Sequence, residues 1–112
     1  MREKEKEIKV LALTEEGYDA GFKLAGCITR KVKDEKELSK VLEHFIENGE
    51  FGVILVEESL YQRIEERKRK KYEELSFPLI IGLNLKPEGR LDPEEHIREL
   101  TRRAIGYTLK LK

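Results

Sequence analysis

This chain has no tryptophan, a single cysteine, one methionine, three prolines and no surplus of either charge. Each shortage excludes something. With Cys27 alone, no internal disulfide forms, and folding does not depend on an oxidising compartment. Lysine plus arginine number 23 and aspartate plus glutamate 23, so the formal net charge is zero. No global basic field is present to gather nucleic acid. No apolar run approaches the roughly 20 residues that span a bilayer. Residues Arg2 to Glu7 alternate in charge without an apolar stretch, which is not how a signal peptide is built. A soluble, cytoplasmic protein is the expectation.

Charge and ordered apolar runs are what the chain does have. Of 112 residues, 41% are charged and 38% apolar. That length supports one domain with a single modest core. The apolar residues recur with strand and helix periods, so the high charge does not signal disorder. Dense, balanced charge fits either surface ion-pair networks of the thermophilic kind or an ordinary very soluble surface.

The periodicity predicts alternating strands and helices. Ile8 to Leu13 is an apolar run that reads as a buried parallel strand. Tyr18 to Ala25 reads as a helix with Gly26 near its end, and Cys27 to Val32 as a weak second strand. Asp34 and Glu37 have capping-box spacing at the start of the next helix. Leu38, Val41, Leu42, Phe45 and Ile46 form its apolar stripe, and Asn48-Gly49 stops it. Gly52 to Val56 is the strongest strand signal. Leu60 to Leu75 reads as one further helix, with Leu60, Tyr61 and Ile64 inward and the charged run Glu65 to Lys71 outward.

Pro78 to Leu83 is the fourth strand, with proline at its first position. Residues 87–92, holding Pro87 and Gly89, read as a linker. Asp92 then caps a last helix with Pro93 at its first turn. Its stripe is Ile97, Leu100, Thr101, Ala104 and Ile105; Gly106 is expected to end it, leaving Tyr107 to Lys112 as a strand or tail. The expected organisation is a solvated extension over 1–7, an α/β domain over 8–86, the linker, and a C-terminal helix and tail over 93–112. Alternating elements force right-handed crossovers and parallel pairing. The expected fold is a four-stranded parallel sheet, order 2-1-3-4, with helices on both faces.

Few residues carry chemistry. Gly21 and Gly26 have the spacing of a phosphate loop, but Cys27 and Ile28 stand where lysine and serine or threonine are required. Gly17 and Gly21 are better explained as small residues that let helix and sheet approach. His44 and His96 have no ligand partners at metal spacing. Cys27 lacks an adjacent base and reads as a packed small residue. The basic run Arg67 to Lys71 is flanked by Glu65, Glu66, Glu73 and Glu74, and reads as a solvated face. Catalytic, cofactor and metal residues are therefore expected to be absent.

At the predicted strand ends stand Glu15 and Glu16, Glu57 and Glu58, and Lys86-Pro87. This layout resembles a response-regulator receiver domain. In such domains an aspartate accepts phosphate, and here Glu57 stands in its place.

A more specific resemblance lies in an ordered set of segments. These are Gly21-Phe22-Lys23-Leu24-Ala25-Gly26, the Gly52 to Glu57 strand, Pro78-Leu79-Ile80-Ile81, and the ending from Arg98-Glu99-Leu100 to Ile105-Gly106-Tyr107. Over residues 8–111 the chain resembles the F subunit of the archaeal and vacuolar-type rotary ATPases. The resemblance implies a non-catalytic central-stalk protein, peripheral to the membrane and touching it only through the complex. It implies a receiver-like domain whose C-terminal helix lies along the coiled coil of the stalk's D subunit, inside the catalytic A/B hexamer. The pair would couple ATP turnover to ion movement. The partner-binding residues are then expected to be Ile97, Leu100, Thr101, Ala104 and Ile105, with Arg98 and Arg102 at the rim. The bland alternative is that this helix completes its own domain core. A signalling domain without its phosphoacceptor is the second functional reading, and an enzyme using the strand-end carboxylates the third.

Overall fold

The computed structural model describes residues 8–15, 17–85 and 92–110, the side chains of 93 and 105–110 excepted. Four strands, β1 (Val10–Thr14), β2 (Ile28–Lys31), β3 (Val53–Glu57) and β4 (Leu79–Leu83), form one parallel sheet in the order β2-β1-β3-β4. Both the order and the parallel sense are those expected from the sequence. Among the described residues five helices complete it: α1 (Asp19–Leu24), α2 (Glu35–Asn48), α3 (Glu58–Tyr61), α4 (Glu66–Glu73) and α5 (Pro93–Lys110).

The sheet buries both faces, and strand parity sorts its side chains between two cores. Leu11, Leu13, Ile54 and Val56 join Leu38, Val41, Leu42, Leu60, Tyr61 and Tyr72 under α2, α3 and α4. Val10, Ala12, Val53 and Leu55 join Phe22, Leu83 and Ile97 under α1 and α5. The receiver-like α/β architecture follows from this alternation.

Helix α2 forms as its sequence dictates. The Asp34 side chain accepts from the Glu37 N–H at 2.8 Å, and Glu37 Oε1 accepts from the Lys33 N–H at 2.8 Å. Gly49 takes a left-handed φ of 74° and donates back to the Phe45 carbonyl, closing the helix.

Three expectations are corrected. The single helix over Leu60 to Leu75 is two, α3 and α4, separated at 62–65. In an unbroken helix Lys68 and Lys71 would share a face with Leu60 and Ile64 and enter the core. The break turns α4 so that Tyr72 is buried while both lysines stay exposed. Arg69 holds the corner, its Nε donating to the Ile64 carbonyl at 2.9 Å.

The second correction is that Gly106 does not end the last helix, which runs on to Lys110. A helix-interior glycine costs only about 1 kcal/mol relative to alanine and stops nothing by itself. Third, Gly17 is not a packing glycine. It sits in a turn at φ 103° with no atom near the position of a Cβ. Gly21 is one, but it meets α5 rather than the sheet. The linker assigned to 87–92 lies outside the described residues except for Asp92, as do the extension over 1–7 and the last two residues of the tail.

Candidate functional site

The described part of the α5 stripe packs on the domain that precedes it. Ile97 is 1% exposed and packs on Gly21 of α1. Thr101 is 0% exposed, and its hydroxyl donates to the Ile97 carbonyl at 2.7 Å. Leu100 and Ala104 are half-buried and pack against the same core. The first turns of α5 therefore belong to the domain that precedes them. Arg102 and Arg103 are exposed, Arg98 is half-buried, and the Ile105 side chain lies outside the described set. Of the sequence-predicted interface residues, Ile97, Leu100, Thr101 and Ala104 turn to their own domain's core, as the bland alternative expects, and Arg102 is exposed.

Length separates the two ends of α5. Its 18 residues extend about 27 Å at 1.5 Å per residue. Strands of 5 residues cover about 16 Å. Ala104, the last residue of α5 whose side chain is described, still packs against the domain core.

The strand-end carboxylates do not converge. Glu15 is half-buried and lines an open cavity of about 440 Å³ with Lys31, Val32, Lys33 and Glu37, on the α2 side. Two cations and two carboxylates offset each other there. Glu57 follows the parity of Val53 and Leu55, which places it on the α1 and α5 side, beside Leu83 in register. It is 7% exposed. Its Oε2 accepts from the Ser59 hydroxyl at 3.1 Å, while Oε1 has no partner among the described residues. Glu58 is exposed, and Glu16 and Lys86 lie outside the described residues. Thr14, in phase with Val10 and Ala12, is wholly buried next to Glu57 on β1; its parity was the signal available in the sequence.

Cys27 is buried, and burial pushes its thiol up to about 11, which leaves it a poor nucleophile at neutral pH. His44 is exposed and meets the Phe45 ring edge-on at 4.8 Å. His96 is half-buried on α5. Among the described residues no three His, Cys, Asp or Glu side chains gather in a metal-binding arrangement, and no helix is long and apolar enough to cross a membrane.

The fold is that of a receiver-like α/β domain, a four-stranded parallel sheet followed by a C-terminal helix that packs on α1. The family model described as ATP synthase (F/14-kDa) subunit matches residues 10–101. The A-type ATP synthase F subunit of Thermococcus sibiricus is 36% identical over 109 residues, covering 92% of this chain and 99% of that protein. The corresponding F subunit of Thermococcus gammatolerans is 32% identical over the same spans. The V-type ATP synthase F subunit of Thermus thermophilus is 30% identical over 94 residues, 81% of this chain and 89% of that protein. The chain belongs to the ATP synthase (F/14-kDa) subunit family.

Proposed function

We propose that this chain is a non-catalytic central-stalk component of an A/V-type rotary ATP synthase, and that α5 carries its contact with the coiled-coil D subunit of the stalk. Inside the catalytic A/B hexamer the pair would turn as one body, linking ATP turnover to ion movement across the membrane. The observation that carries this reading is the geometry of α5. Its first turns are fixed to α1 through Ile97 at Gly21, while Arg102 and Arg103 further along are exposed. A helix held at one end presents the other in a defined direction, as packing along a second helix requires. Arg102 and Arg103 are exposed and able to pair with carboxylates on the stalk, setting register more than affinity. On this reading the chain binds no nucleotide, since the residues after Gly26 supply no phosphate ligand.

The test is binding of the full chain to the purified D subunit, measured by calorimetry beside the Arg102→Glu/Arg103→Glu double variant. Both arginines are exposed, so the variant keeps the parent melting temperature within a degree or two. The parent binds the stalk protein and the variant binds it about tenfold or more weakly. No binding of the parent, or equal binding by both proteins, overturns the assignment. Low-micromolar binding of Mg-ATP by the isolated chain overturns the non-catalytic reading.

A further inference from the structure

We draw no further inference here: the strongest candidate, the edge of β4 left open among the described residues with the exposed Phe77 just before it, carries nothing because α3 and α4 set charges of both signs beside it and nothing in the structure shows what covers it.

Discussion

Gly21 and Ile97 are in such close contact that a Cβ on the glycine would stand 2.7 Å from the Ile97 Cβ and 3.0 Å from the Glu94 carbonyl. The absence of a side chain at residue 21 is what lets α5 lie against α1.

Gly21→Ala is therefore expected to lose about 1–3 kcal/mol by overpacking, although alanine is the better helix former. Ile97→Ala opens a cavity at a site 1% exposed and is expected to cost about 2–5 kcal/mol. The double variant costs somewhat less than the sum, because losing the Ile97 Cγ2 removes one close approach at 2.9 Å, although alanine keeps the Cβ that stands 2.7 Å from the new methyl. Urea denaturation of the four proteins measures all three numbers. Additive losses would mean that the two residues do not share the contact.

The Tyr72 hydroxyl lies 2.9 Å from the Ser39 hydroxyl and donates to Glu43 Oε2 at 2.9 Å, tying α4 to α2. Tyr72→Phe is expected to cost about 1–2 kcal/mol, leaving the buried Ser39 hydroxyl without its partner. Adding Ser39→Ala removes the orphan and recovers part of the loss. The check is a double-mutant cycle by thermal denaturation, with a coupling clearly different from zero.

Alkaline pH destabilises this protein through groups that ionise later in the folded state. Burial raises the Cys27 thiol from 9.0 to about 11. Burial first, then the bond to Glu73, raises Tyr61; burial chiefly raises Tyr72. For each the unfolded chain loses its proton first. The stabilisation is complete below the unfolded value and fades as pH climbs through the folded one. Stability is expected to decline from about pH 9 to about pH 11, with a shallower decline for Cys27→Ala. Ellman's reagent at about pH 8 should label native Cys27 slowly and the denatured chain at once.

Glu57 is expected to resist phosphorylation. The residue is 7% exposed, with one carboxylate oxygen held by Ser59. Glu15, which a shared magnesium site would need, lines a cavity on the opposite side of the sheet. Intact mass after incubation with acetyl phosphate and magnesium should equal the starting mass. A labile adduct that disappears in Glu57→Gln would contradict this.

Local pattern alone determined the four strands, their order, the capped helix α2 and its glycine stop. These rest on short-range rules, such as alternation along Leu11 to Thr14 and a side chain reaching three residues ahead from Asp34. The family was also legible, because its signature is an ordered series of local segments. Tertiary structure alone decided the rest. The break after Tyr61 arises because Tyr72 and Lys68 cannot both satisfy one continuous helix on this core. The continuation of α5 through Gly106 arises because a weak local stop yields to the helix around it. The inward packing of the α5 stripe depends on Gly21, far upstream in the chain, whose missing side chain leaves room for Ile97. The sheet's two faces likewise separate Glu15 from Glu57, which lie at neighbouring strand ends. Periodicity identifies which face of an element is apolar; only the packed neighbours decide whether its own domain covers that face or leaves it to a partner.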